Sequence, residues 1–311
     1  MTDETAPVSL KGLSDEDWLL ALDDIGEERG HFEPIGPNHS AIFTDRDPVL
    51  LVTFETRNSI RSDTEDQLPV GFQWTEGTTH SHLCILADSE SWFRDKYVFG
   101  YFDRLVDDGF FDDFDKVVFY GVGMCGYAAA AFSVVAPGAT VIAVDPVATL
   151  DPSIAGWDTR HKHMRRTSFT DRYGYAPDML EAASDVYIMF DPAETLNAMH
   201  AALFTSANVT TLPCRRMGPR LEHALNKVGI IEHVVRAACD SNMATQEFWS
   251  AYRNRRNLFS YERTMLSAAL ETERPKLAAM VCRSVTNRRR APHFAKTLRD
   301  LEEIIGAVET A

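Results

Sequence analysis

Apolar and polar positions along the chain alternate between two periods. Ser14 precedes Asp15-Glu16-Asp17, residues suited to a helix start, and Trp18, Leu22 and Ile25 recur at the spacing of one helix face. Two short strands are predicted at Ser40–Phe43 and Val49–Phe54; the intervening Asp45-Arg46-Asp47-Pro48 has turn composition, which predicts a hairpin. Residues 55–77 are polar without a clear period and read as a long loop. Beyond it, strands at His82–Ala87, Lys116–Tyr120, Thr140–Val144, Val186–Phe190 and Asn208–Leu212 take turns with helices. Those helices are predicted at Trp92–Leu105, Met124–Val135, Pro177–Ala183, Ala193–Phe204 and across Pro219–Cys239, with an irregular stretch at 146–175.

Short apolar strands separated by amphipathic helices predict an α/β fold, with a mostly parallel sheet covered by helices on both faces. Ligands of such sheets sit beyond the carboxyl ends of the strands. Residues 240–311 show no strand pattern and read as an all-helical C-terminal extension, interrupted near Glu273–Pro275 and Asn287–Pro292. The expected division is therefore 1–239 and 240–311, the second part being an appended subdomain or an arm for a homo-oligomer.

Composition narrows the function classes. With 45% hydrophobic and 25% charged residues in 311, disorder and disulfide-scaffold readings drop out. No apolar run approaches the ~18 residues of a membrane span, and the acidic start Met1-Thr2-Asp3-Glu4-Thr5 is unlike a secretory signal, so a cytoplasmic protein without a membrane partner is expected. Five scattered cysteines without a CxxC pair suit a reducing compartment. The net charge of −15 is uneven: residues 1–115 hold 26 acidic against 8 basic side chains, whereas residues 240–311 hold 9 against 12. An acidic body repels phosphate backbones, so no nucleic-acid partner is expected, and the arginines at 253–256 and 288–290 read as solvated helix faces.

The most informative segment is Lys116-Val-Val-Phe-Tyr-Gly-Val-Gly-Met-Cys-Gly-Tyr-Ala-Ala-Ala-Ala-Phe132, which reads as a buried strand, a glycine-dense turn of about six residues and a helix of small side chains. Two chemistries use this arrangement. In the first, Gly121, Gly123 and Gly126 form a GxGxxG at a helix N-terminus, with Asp145 after the next strand as the ribose-binding acid of a nucleotide site. Such a strand normally opens the nucleotide domain, whereas here other strands precede it. In the second, the turn is a nucleophile elbow, which presents Ser within Gly-x-Ser-x-Gly.

Residues 119–132, followed by Ala-Pro-Gly-Ala and the strand Thr140–Val144, closely resemble the elbow region of α/β-hydrolases of the Tyr-Gly-x-Ser-Met-Gly-Gly-Tyr-Ala-Ala type, in a bacterial branch of that superfamily. The resemblance covers roughly residues 35–235. It places Gly123 at the nucleophile position and Asp191, after the strand Val186–Phe190, at the position of the acid. The loop Pro213–Pro219, where the histidine belongs, has none; His223 lies farther on, in an expected helix begun by Pro219.

The resemblance therefore implies a catalytically degenerate relative that binds a small-molecule ligand or partner at the sheet-end cleft. That cleft is bounded by the loop after Phe54 with Glu55 and Thr56, the turn Gly121–Gly126, residues 146–175 and Asp191. Backbone N–H groups at Met124 and after Phe54 are expected to form an anion hole. Two alternatives stay open: a nucleotide-binding protein, and a hydrolase with Cys125 as nucleophile at the first turn of a helix. No cofactor and no metal are expected, because His80/His82 and His161/His163 lack a third ligand nearby in sequence. The basic stretch Arg160–Arg166 is placed to hold an anion over the cleft or to pair with the acidic N-terminal third.

Overall fold

The computed structural model describes residues 9–46, 48–241, 243 and 245–309; the acidic start and Asp47 of the expected hairpin turn lie outside the described residues. After α1 (Asp15–Arg29), capped by the Ser14 hydroxyl, come β1 (Gly30–Ile35), β2 (His39–Thr44), β3 (Val49–Thr56), β4 (His80–Ala87), β5 (Lys116–Val122), β6 (Thr140–Val144), β7 (Asp185–Phe190) and β8 (Val209–Pro213). They form one sheet in the order β1-β2-β4-β3-β5-β6-β7-β8. The first two strands run antiparallel to their neighbours, and β4-β3-β5-β6-β7-β8 are mutually parallel. The order and sense are those of an α/β-hydrolase sheet, as the resemblance implies.

The sequence-based hairpin does not form. β2 and β3 are not neighbours, because β4 inserts between them, antiparallel to β2 and parallel to β3. All but the terminal residues of β3 are buried, so it needs a partner on each edge, and a turn-like connection cannot tell which strand supplies it. On its other edge β2 pairs with β1, which carries Pro34 and reads poorly as a strand; proline is tolerated there because β1 is the sheet edge.

Nor is 55–77 one loop. It contains α2 (Arg57–Asp63) and α3 (Val70–Thr75), the former opened by a reciprocal capping box between Thr56 and Ser59.

Alternating strand positions feed two cores. Leu50, Val52, Phe54, Val117, Phe119 and Val141 face α4 (Lys96–Asp107) and α5 (Met124–Phe132). On the opposite face, Leu51, Val118, Tyr120 and Ile142 pack with α8 (Leu221–Asn226), α9 (Ile230–Asp240) and α10 (Thr245–Tyr252), while α1 covers Ile42 and Cys84. Between the later strands lie α6 (Pro152–Ala155) and α7 (Thr195–Ala201).

Phe248 and Tyr252 of α10 belong to the sheet core, whereas α11 (Phe259–Glu271), α12 (Pro275–Arg288) and α13 (Pro292–Glu309) share a separate core around Leu266, Cys282 and Phe294. The side chains packed against the sheet thus extend to Leu258, because α10 covers part of that face. No helix among the described residues is long and apolar enough to cross a membrane.

Phe132, fully buried at the end of α5, stacks on Phe102 at 4.6 Å and on Phe54 at 5.6 Å, joining α5, α4 and β3. Phe132→Ala is expected to lower unfolding free energy by about 3–5 kcal/mol in urea titrations, while Leu270→Ser at an exposed site changes it by no more than about 0.5 kcal/mol. A smaller effect at Phe132 than at Leu270 would contradict this packing.

Candidate functional site

The strand β5 continues through Gly121 and Val122, and α5 begins at Met124, so Gly123 alone makes the turn. The six-residue turn read from the glycines is therefore replaced by a one-residue elbow. Gly123 has φ +56° and ψ −114°, a conformation that L side chains rarely adopt. Its N–H donates to the Val144 carbonyl at 2.9 Å, and its carbonyl accepts from the Tyr127 N–H at 2.9 Å, which ties the elbow to β6 on one side and to the helix on the other. At Gly121 a Cβ would lie 2.1 Å from the Cys125 carbonyl, so that glycine lets the helix start close against the strand. A Cβ built at Gly123 meets nothing within 4 Å, so open space stands above the expected nucleophile position.

Two cavities flank the elbow, of about 480 and 500 Å³, and they share Val122, Met124, Asp63 and Glu222 as a common wall. The first is lined by Glu55, Asp63, Glu65, Glu222 and Glu232 together with Trp74 and Tyr120, and by no lysine, arginine or histidine. Glu55, at the end of β3, is buried; it accepts from the Thr53 hydroxyl at 2.8 Å and from the Val70 N–H at 3.0 Å. Burial pushes its carboxyl up to about 7, against those hydrogen bonds, and the neighbouring Glu222 adds to the rise. Burial likewise pushes Glu222 up to about 7, with Asp63 contributing. The Tyr120 hydroxyl points at Glu222 from 3.4 Å.

Cys125 lines the same cavity, but burial and these two carboxylates drive its thiol well above the ordinary range. That is the opposite of what a thiolate nucleophile requires.

The second cavity brings together Gly123, Asp145, Arg160, His161, Asn197 and His223. Asp145 follows β6 with φ +46°, and burial pushes its carboxyl up to about 7 despite hydrogen bonds from Asn197 and from the Asp191 backbone. Arg160 is held by Asp158 and donates to Asn197 Oδ1 at 2.6 Å, so its guanidinium is already engaged by protein groups.

Asp191, the expected acid, is fully buried and accepts four backbone N–H bonds, from Ala193, Arg216, Met217 and Gly218, at 2.7–3.1 Å. It clasps the loop after β8, with no imidazole among those partners. His223 lies within α8, as expected, and lines the cavity beside Gly123.

A buried Asp158–His200 pair, 3.0 Å apart, was not foreseen. Both side chains are fully enclosed, and His200 Nδ1 accepts the Ala148 N–H, so neither ring nitrogen is open to a ligand. The expected anion hole is half engaged: the Thr56 N–H already donates to Ser59 Oγ at 3.1 Å. The helix-start N–H of Met124 remains, since helix geometry gives it no intrahelical acceptor. His80 and His82 do not act together. His80 pairs with Asp240 at 3.1 Å, while the buried His82 contacts the Thr53 hydroxyl at 2.9 Å and is held neutral.

Because the folded-state carboxyl of Glu55 titrates near 7 and an unfolded glutamate near about 4.3, the folded state holds the extra proton between those values. Its contribution is therefore full below that window and is lost as pH rises through it, at up to about 1.4 kcal/mol per pH unit. Urea unfolding of the wild type relative to Glu55→Gln is expected to show this loss from pH 4.5 to 7 and a constant difference above. A difference independent of pH across that window would contradict the assignment.

No protein-family model matches the chain, and no curated protein does. Among solved structures, it is similar to the capsule O-acetyltransferase of Neisseria meningitidis serogroup A, with a TM-score of 0.43 and 10% identity over 65% of this chain and 92% of that one. Est1E from Butyrivibrio proteoclasticus gives a TM-score of 0.41 and 12% identity, covering 62% and 91%. MPT51 of Mycobacterium tuberculosis gives 0.39 and 12%, covering 66% and 95%. The strand order and the one-residue elbow carry the assignment by themselves: this chain has the α/β-hydrolase fold.

Proposed function

We propose that this protein is a catalytically degenerate relative on the hydrolase fold that binds a small organic cation, non-covalently, in the cleft beside the elbow. The observation that carries the reading is Gly123: the strained turn that exists to display a nucleophile is retained, with open space above it, and no side chain occupies that position. Asp191 serves the loop 216–218 rather than a histidine, which agrees with a triad no longer in use.

The class of ligand follows from charge. Five carboxylates and no basic group line the first cavity, and Trp74 and Tyr120 add aromatic surface. An ammonium or quaternary ammonium group gains from both. A pyrophosphate at the Gly121–Gly126 turn would lie between the acidic cavity and the second one, where Gly123 stands with Arg160, His161, Arg220 and His223; a one-residue turn is too tight for a dinucleotide loop, so the nucleotide reading is the weaker. The Cys125 reading requires an ionised thiol where burial opposes one.

Cation binding favours ionised Glu55 and Glu222, so affinity is expected to rise with pH through about 7. At pH 6 each group that must ionise weakens binding about tenfold relative to pH 8. Calorimetric titration with choline at both pH values, on the wild type and on Glu222→Gln, checks this. The expected result is saturable binding that tightens at pH 8 and weakens in the variant. Saturable binding of acetate or NAD with none of choline would overturn the reading.

A further inference from the structure

Outside the cleft proper, the structure joins three side chains that the sequence keeps apart. Glu90, in the connection between β4 and α4, meets His161 and His163 of the 146–175 segment. His161 Nδ1 lies 2.8 Å from Glu90 Oε1, and His163 Nε2 lies 3.0 Å from Glu90 Oε2. One ligand atom from each of the three lies within 4.8 Å of the others. We propose that Glu90, His161 and His163 form a binding site for a single divalent transition-metal ion of the zinc class.

The donor set selects the metal. Two imidazoles with one carboxylate suit Zn²⁺, Co²⁺ or Ni²⁺, whereas Ca²⁺ and Mg²⁺ want shells of oxygen. In a tetrahedral site with bonds of about 2.0 Å, ligand atoms stand about 3.3 Å apart, so the two carboxylate–imidazole contacts open by a few tenths of an ångström while the wider separations, within 4.8 Å, close by side-chain rotation. The ion needs a bare nitrogen on each ring, so a neutral imidazole carries its single proton on the other ring nitrogen and only a protonated imidazole releases one on binding. Three protein ligands leave a fourth position for water or another ligand. His161 also lines the cavity that contains Gly123, so the ion would sit at the rim of the cleft.

The groups behind the ligands are already arranged to orient them. The Trp92 indole N–H donates to Glu90 Oε1 at 3.1 Å, and its ring meets the His161 ring edge to face at 4.8 Å. Trp92 is fully buried, its backbone has φ +57°, and its N–H donates to Met124 Sδ, so the turn carrying Glu90 is anchored against the elbow helix. Outer partners of this kind fix the orientation and basicity of metal ligands. Lys162, Arg165 and Arg166 nearby are exposed, and solvent screens their charge.

The test uses the full chain, stripped with EDTA and titrated with Zn²⁺ by calorimetry and with Co²⁺ by visible absorption. One equivalent is expected to bind, with affinity lowered more than about tenfold in Glu90→Gln and in His163→Ala and about tenfold in Trp92→Phe. The exposed His233→Ala should leave it unchanged. The Co²⁺ spectrum reports the ligand set even where a variant is less stable, and circular dichroism of each stripped variant verifies folding. No saturable binding up to millimolar metal, or wild-type affinity in the Glu90→Gln/His163→Ala double variant, would overturn the proposal. The outcome is independent of whether choline binds in the cleft.

Discussion

One backbone constraint organises this protein. The turn from β5 to α5 is a single residue, and that residue must have positive φ. Gly123 meets the conformational demand, and Gly121 allows the helix to begin 2.1 Å from where a Cβ would stand. The run of alanines that follows brings α5 close to the sheet, where Phe132 locks it to Phe102 and Phe54. With the helix start fixed there, the ends of β3 and β6 and the entry to α8 close around it. The cleft is a consequence of how tightly the chain turns.

The same close packing sets the chemistry. Glu55, Glu222 and Asp145 each have their charged form penalised by burial, and all three titrate near neutrality at the walls of this cleft. Asp191 differs because four backbone N–H groups surround it; a carboxylate so satisfied stabilises a loop and has little left to offer a substrate. Gly123 brings no side chain to the elbow while the titrating groups stand to either side, which supports the proposed recognition by charge.

The parallel strands were legible because each is a short apolar run between breakers. Their neighbours were not, since periodicity fixes which face a residue occupies but not which strand lies alongside; hence the expected hairpin between β2 and β3 gave way to an inserted β4. β1 was hidden by Pro34, and α2 and α3 by their brevity, although Thr56 and Ser59 signalled a cap. In the site, Gly123, Asp191 and Glu55 could be named from the elbow motif and strand ends. Glu222 could not, because a carboxylate on a short helix reads as a solvated face until the fold turns it toward Tyr120, 102 positions away. Glu90 and His161 are 71 positions apart, which is why paired histidines looked incomplete.

We propose that the pocket keeps the frame of a covalent catalyst and lacks its attacking atom. The most direct measurement is intact-mass analysis after exposure of the wild type and Gly123→Ser to an alkyl fluorophosphonate. The wild type is predicted to keep its unmodified mass. A stoichiometric phosphonyl adduct on the wild type, mapped to a side chain lining the cleft, would contradict the account whatever the behaviour of the variant.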